Sequence, residues 1–343
     1  MEKLLSVARK VGDRKKAFFS VDGAENFYLT SFRSTFGIAV VTGDGRFYFF
    51  TDGRYIERAE REVKGFTVLK WEGWEKLIGF LKGEGIETLI VDPNRVKLST
   101  VRKLSHFSIE EEEGFLSEFR AVKSEEELSL ITRAVQIAEL SLKSVLHLLK
   151  PGTTEVEFRR ELLSAFFRFG GEGEAFPTIV ASGANSSVPH WETGKREIKD
   201  GDVVIVDFGT VYRGYVSDIT RTFLVGNVPS QLREIYDVVR EAQEVGVMEL
   251  HSGKSCRSVD GAVRKFLEKK GFGDYFVHSL GHGIGVEVHE APTLSSKSKE
   301  VLRKGNVVTV EPGVYVPGLG GVRIEDDCYV TESGAFTLVS IEK

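Results

Sequence analysis

Gly201-Asp-Val-Val-Ile-Val-Asp207-Phe-Gly209 and Gly305-Asn-Val-Val-Thr-Val-Glu311-Pro-Gly313 are two copies of one pattern: glycine, an apolar run, an acid and glycine, at identical spacing. Runs rich in Val and Ile read as buried strands, so an acid at the end of each is out of place in a core. The flanking sequence corresponds too. Phe176, Gly183 and His190 are echoed by Phe276, Gly283 and His289 with nearly the same gaps. Ahead of each stretch lies a pair of helical patterns. Ser124 followed by Glu127 is a capping box, after which Leu128, Ile131, Val135, Ala138, Leu142, Val145 and Leu149 recur every three or four residues until Pro151-Gly152. Thr154 and Glu157 open a second helix toward Phe169. Comparable patterns run from Gln231 to Leu250 and from Ser255 to Lys270. Helix, helix, strand, hairpin therefore occurs twice, an internal duplication of about 105 residues. Two copies are too few for a solenoid and fit two halves facing one shared site.

The break ahead of this repeat falls near Lys123, dividing the chain into residues 1–120 and 121–343. The front part alternates short strands and helices. Ile38–Val41 and Phe47–Thr51 flank Gly43-Asp44-Gly45, a hairpin signature. Trp74–Leu81 reads as a helix and Leu89–Val91 as a short buried strand. The acidic run Glu110–Glu113 is expected on a solvated face or loop. The fold class is α+β, with an α/β N-terminal domain and a duplicated C-terminal domain.

Composition narrows the function. The 343 residues are 41% hydrophobic and 28% charged, a globular balance with room for two domains. A net charge of -5 offers no general attraction for nucleic acid or an acidic membrane. No apolar run approaches the ~18 residues that span a bilayer. Met1–Lys16 lacks the apolar stretch of a signal peptide. Cys256 and Cys328 are the only cysteines, which excludes a disulfide framework and makes a cytoplasmic location the expectation.

The acids carry the chemistry. After Asp207 a turn near Tyr212-Arg213-Gly214 returns the chain to Asp218, and after Glu311 a turn near Gly318 returns it to Glu325. These centres predict Asp207 opposite Asp218 and Glu311 opposite Glu325, with side chains ~5 Å apart. Four carboxylates converging in a core would have to take up protons unless cations offset them. Four negative charges match two divalent ions. The competing reading pairs each acid with a basic neighbour such as Arg221 or Arg323, and the symmetry of the four weighs against it. His282, in Ser279-Leu-Gly-His282-Gly-Ile-Gly285, lies among glycines that allow close backbone approach, and His289 follows seven residues on. Oxygen ligands, an imidazole and no thiolate suit Mn²⁺, Co²⁺, Fe²⁺ or Zn²⁺. The glycine spacing is wrong for a dinucleotide fingerprint. Neither His-Glu-x-x-His nor Gly-x-Ser-x-Gly is present.

These residues resemble the pita-bread metallopeptidases, the superfamily of prolidase, aminopeptidase P and methionine aminopeptidase. The matching stretches are Phe176-Pro-Thr-Ile-Val-Ala-Ser-Gly183 with Pro189-His190, and Val206-Asp207-Phe-Gly209 with Ser217-Asp218-Ile-Thr-Arg-Thr222. Further on come Gly281-His282-Gly-Ile-Gly285 with Val288-His289-Glu290, Val310-Glu311-Pro-Gly313, and Gly321-Val-Arg323-Ile-Glu325-Asp326. In front, Thr51-Asp-Gly-Arg-Tyr55 looks like the N-terminal domain of the Xaa-Pro branch, that of creatinase and prolidase. The resemblance implies a pita-bread C-terminal domain around a dinuclear centre. Asp207 would hold one metal, Asp218 and Glu325 would bridge both, and His282 and Glu311 would complete the other's shell. Glu311 would move the proton in peptide hydrolysis, with His190, His289 and Arg323 contacting substrate or steadying charge.

The implied activity is that of an Xaa-Pro dipeptidase, an exopeptidase cleaving between an N-terminal residue and a following proline. Mn²⁺ or Co²⁺ is the expected metal, with Zn²⁺ or Fe²⁺ as alternatives. Short peptides with proline second are the expected substrates, and a homodimer the expected assembly. Thr293 stands where some dipeptidases carry an Arg for the substrate carboxylate, which keeps open an Xaa-Pro aminopeptidase acting on longer peptides. Non-catalytic pita-bread binding proteins commonly lose metal ligands, and creatinase-like amidinohydrolases do without metals. This chain keeps all five ligands.

Overall fold

The computed structural model describes residues 1–343, and its contacts separate into two units, Met1–Arg120 and Ala121–Lys343. No helix is long and apolar enough to cross a membrane.

In the first unit, elements run α1 (Glu2–Val11), β1 (Lys16–Ser20), α2 (Gly23–Thr30), β2 (Ile38–Thr42), β3 (Phe47–Thr51), α3 (Ile56–Glu62), β4 (Thr67–Lys70), α4 (Trp74–Gly83), β5 (Thr88–Val91), α5 (Leu98–Lys103) and β6 (Ser108–Glu111). Short α6 (Ser117–Ala121) follows. Six strands form one sheet in the order β4-β3-β2-β1-β5-β6. β2 and β3 are the expected antiparallel hairpin, with Val41 facing Phe47. Their β-branched and aromatic side chains are buried, as a covered sheet requires. The acidic run lies on a solvated face, as expected. Glu110 and Glu111 lie in edge strand β6, where exposed charge also deters pairing with another chain. At the start of α2, Asp22 accepts from the Glu25 N–H at 2.9 Å, and buried Glu25 accepts from the Ser20 hydroxyl at 2.5 Å.

The second unit displays the repeat. Its first half comprises α7 (Glu125–Val145), α8 (Glu155–Arg168), β7 (Ile179–Ser182), β8 (Val203–Phe208), β9 (Val211–Tyr212), β10 (Tyr215–Val216) and β11 (Ile219–Leu224). The second half comprises α9 (Ser230–Met248), α10 (Cys256–Lys269), β12 (Gly281–Gly283), β13 (Glu290–Leu294), β14 (Val307–Val310), β15 (Gly313–Val316), β16 (Gly320–Arg323), β17 (Asp326–Val330) and β18 (Ala335–Thr337). Both predicted capping boxes form: Ser124 and Glu127 exchange hydrogen bonds, as do Thr154 and Glu157. α7 stops at Val145 instead of reaching Leu149, because Leu146–Leu148 tighten into a 3-10 turn on the approach to Pro151. One core packs α7 and α8 against β8 through Val135, Leu142, Phe158, Phe166, Val204 and Val206. A second packs α9 and α10 against β14 through Ile235, Val239, Val259, Val263, Val308 and Val310.

The hairpins differ in register from what their turns suggested. Arg213 and Gly214 both have positive φ, 46° and 87°, the conformation of a tight two-residue hairpin turn. That turn pairs Tyr212 with Tyr215 and carries the ladder on to Asp207↔Thr220. Asp207 therefore faces Thr220, and Asp218 is displaced along the ladder toward Gly209. The expected Asp207–Asp218 opposition is wrong because it needs a turn centred between Tyr212 and Arg213, whereas the two-residue turn centres between Arg213 and Gly214, one residue further on. In the second hairpin Val310↔Asp326 and Gly313↔Arg323 bracket the acids and do set Glu311 across from Glu325.

Candidate metal centre and active site

The four acids and His282 lie in or directly beside strands that are mostly buried, so each enters buried ground. Asp218 is 5% exposed, Glu325 2% and His282 8%. One ligand atom from each of these three lies within 4.8 Å of the others. His282 Nε2 is also 3.4 Å from Glu311 Oε1 and 3.7 Å from Asp218 Oδ2. The two hairpins meet directly, since the Glu325 N–H donates to the Thr220 carbonyl at 3.1 Å and the Thr220 hydroxyl to Glu325 Oε2 at 2.7 Å.

Asp207 has a basic partner: Arg323 Nη2 donates to its Oδ2 at 2.5 Å. The guanidinium also reaches the Tyr315 hydroxyl at 2.8 Å, the Pro189 carbonyl at 3.3 Å and the Thr220 hydroxyl at 3.2 Å. Simple ion pairing thus holds for one acid of the four. Arg221 turns away from all four side chains. It binds Asp326 Oδ1 at 2.7 Å and the carbonyls of Thr220, Glu325, Ile341 and Glu342.

Burial, then the neighbouring Glu325 and Asp207, push the Asp218 carboxyl well above its ordinary range. Burial and Glu325 do the same to Glu311. Burial and Asp207 raise Glu325 to about 8. Burial pushes His282 down to about 4, so the ring is neutral. Its Nδ1 sits 3.1 Å from the Gly283 carbonyl, which only accepts. That contact assigns the proton to Nδ1 and leaves a lone pair on Nε2 facing carboxylate oxygens. Asp207 Oδ1 is buried with no hydrogen-bond partner at all. An orphaned carboxylate oxygen and a lone pair turned toward anions are repulsive among themselves and complementary to a divalent cation. The donor set fits metal.

His190 and His289 are both exposed. The His289 ring centroid lies 4.3 Å from that of His282, and His190 follows Pro189, whose carbonyl Arg323 contacts. Sequence reasoning missed the supports behind these groups. Asp327, fully buried, accepts from the Asp218 N–H at 3.0 Å. His278 Nε2 meets the Tyr315 hydroxyl at 2.9 Å and so backs the Arg323–Asp207 contact. The available signal was the unusual run Glu325-Asp326-Asp327, three acids entering a strand.

Two family models cover the chain: metallopeptidase family M24 over residues 129–332 and the creatinase/prolidase N-terminal domain over residues 9–122. An Xaa-Pro dipeptidase from Pyrococcus furiosus is 36% identical over 90% of this chain and 88% of its own. Among solved structures, an Xaa-Pro dipeptidase from Bacillus anthracis superposes with a TM-score of 0.95 at 35% identity, covering 100% of this chain and 97% of the other. An X-Pro aminopeptidase from Thermotoga maritima gives 0.89 at 32%, covering 95% and 96%. A pita-bread fold with an acid-rich buried centre defines a metallopeptidase. The chain belongs to metallopeptidase family M24, within its group of Xaa-Pro dipeptidases and aminopeptidases.

Proposed function

We propose that this enzyme is an Xaa-Pro dipeptidase using two divalent ions, Mn²⁺ or Co²⁺ with Zn²⁺ or Fe²⁺ as alternatives, held by Asp207, Asp218, His282, Glu311 and Glu325. The observation that carries this is the buried convergence of Asp218, His282 and Glu325 within 4.8 Å, with Glu311 against the same imidazole. When bound, the ions supply Lewis acidity to the scissile carbonyl and acidify the attacking water. Glu311 accepts the proton of that water as its oxygen adds to the carbonyl carbon. It then delivers the proton to the proline nitrogen as the C–N bond breaks. His190 and His289, exposed and able to donate, hydrogen-bond the oxygen that gains charge. Arg323 keeps Asp207 oriented through their contact at 2.5 Å. We also infer a cytoplasmic homodimer acting on short peptides, which light scattering during gel filtration tests.

A second reading rests on Thr293. It is exposed, pairs with His282 across β12–β13, and brings no cation to receive a free substrate carboxylate. That favours longer peptides and an Xaa-Pro aminopeptidase. After chelation and reloading with Mn²⁺, Co²⁺ or Zn²⁺, the enzyme is offered an Xaa-Pro dipeptide and its C-terminally extended tripeptide. Faster cleavage of the dipeptide supports the first reading, and faster cleavage of the tripeptide the second. Failure on both, with metal bound, rejects the two together.

A further inference from the structure

We propose that Glu155 is the positioning residue for the outer loop of the active site, fixing the segment that carries His190 and Trp191. Glu155 is the first residue of α8 and is wholly buried. Five donors converge on its carboxylate. Oε1 accepts from the Ser182 N–H at 2.8 Å, the Ser182 hydroxyl at 2.7 Å and Asn185 Nδ2 at 2.9 Å. Oε2 accepts from Trp191 Nε1 at 2.9 Å and the Gly194 N–H at 3.1 Å. A buried carboxylate is costly unless fully hydrogen-bonded, and a helix N-terminus adds a favourable field. All five partners lie between residues 182 and 194, so the anion is spent on one segment.

That segment leans on the centre. Its Ser186 hydroxyl accepts from the Gly321 N–H at 2.8 Å, and the Pro189 carbonyl accepts from Arg323 Nη1 at 3.3 Å. Trp191 packs against Ala181, Ile205 and Tyr315, and the Tyr315 hydroxyl contacts the guanidinium that binds Asp207. Beyond Pro189, the limb bearing His190 is held by the Thr193 hydroxyl, which accepts from the Val180 N–H of β7, and by Glu155 Oε2. Glu155 hydrogen-bonds none of the proposed metal ligands and acts through this limb.

The inference rests on the peptidase reading for its kinetic test and stands apart from it in a second readout. Glu155→Gln keeps shape but replaces one acceptor oxygen with a donor, so it cannot satisfy both sets of N–H groups. Expected are metal affinity within about twofold of wild type and a loss of at least about tenfold in kcat/KM. In a His190→Ala background the same change should cost less than about threefold, because both act through one limb. Hydrogen exchange over residues 187–195 should rise at least about tenfold while β8 and β11 stay protected. Equal losses in both backgrounds, wild-type kinetics, or unchanged exchange would overturn the proposal. Should Glu155→Gln not fold, Trp191→Phe decides. It keeps the packing and deletes one donor, with about threefold or greater loss and faster local exchange expected, and wild-type behaviour fatal. If wild type cleaves no peptide, the activity reading fails while exchange still judges Glu155.

Discussion

At the scale of single residues, the centre's behaviour follows from charge brought into apolar surroundings. Glu311 is the residue whose removal should separate binding from turnover. Glu311→Gln preserves volume but cannot take a proton, so it should fold, bind metal measurably by calorimetry, and lose about 10²–10⁴-fold in kcat. Substantial remaining turnover would remove Glu311 from the proton path. Asp207 and Glu311 stood out in the sequence because an acid closing a Val-rich strand contradicts its setting, and the remaining proposed ligands came with the family resemblance. Of the residues behind them, only Asp327 left a trace, in the acidic run Glu325-Asp326-Asp327. Tyr315 and His278 look like ordinary strand or loop residues until the fold sets Tyr315 on Arg323 and His278 on Tyr315. Asp207 shows the limit in the other direction, since its partner Arg323 lies 116 positions away.

At the scale of elements, helices read well and hairpin register did not. Capping boxes and apolar periodicity are local and fixed the starts of α7 and α8. Register moves two positions for each residue by which a turn's centre shifts, and that displaced Asp218 from Asp207. Gly209 shows how tightly the first hairpin is drawn. A Cβ there would lie 1.9 Å from the Ser217 carbonyl oxygen. Gly209→Ala must push the strands apart between Asp207 and Asp218, costing about 1–3 kcal/mol of stability and about tenfold or more in metal affinity. Denaturant melts and metal titration check both, and normal affinity would show that the strands yield without disturbing the acids. In the first unit, α2 carries a pH response. Burial pushes Glu25 up to about 7; the Ser20 hydroxyl and Arg95 pull it back, and Asp22 and Asp92 add to the rise. The folded chain keeps a proton that the unfolded chain releases near 4.5, so stability is greatest below that value and falls as pH rises through about 7. Glu25→Gln should not show this fall, the difference reaching about 3 kcal/mol at most. Urea melts of both proteins from pH 5 to 8.5 test it, and parallel curves would contradict it.

At the scale of the whole molecule, the duplication was readable because strand, acid and glycine recur at one spacing, and the helix pair followed by strands in each half of the second unit bears it out. How the halves meet was not readable, since the Thr220–Glu325 bridge joins strands that share no local pattern. A centre built from repelling groups makes metal a folding ligand. At a free concentration about 100-fold above Kd, metal should stabilise the protein by about 2.7 kcal/mol. Calorimetric scans before and after chelation should therefore show a lower Tm without metal, restored on adding Mn²⁺ or Co²⁺. Identical scans would mean that the acids settle their charge by another route. The division of the proposed ligands has one more consequence. Asp207 and Asp218 precede the linker at 225–229, while His282, Glu311 and Glu325 follow it. Severing the backbone within that linker would yield two fragments, each with an incomplete chelating set and neither a peptidase. Mixed together, they should recover activity only as dissolved metal draws them back into one body, making the ion a clasp between inherited halves.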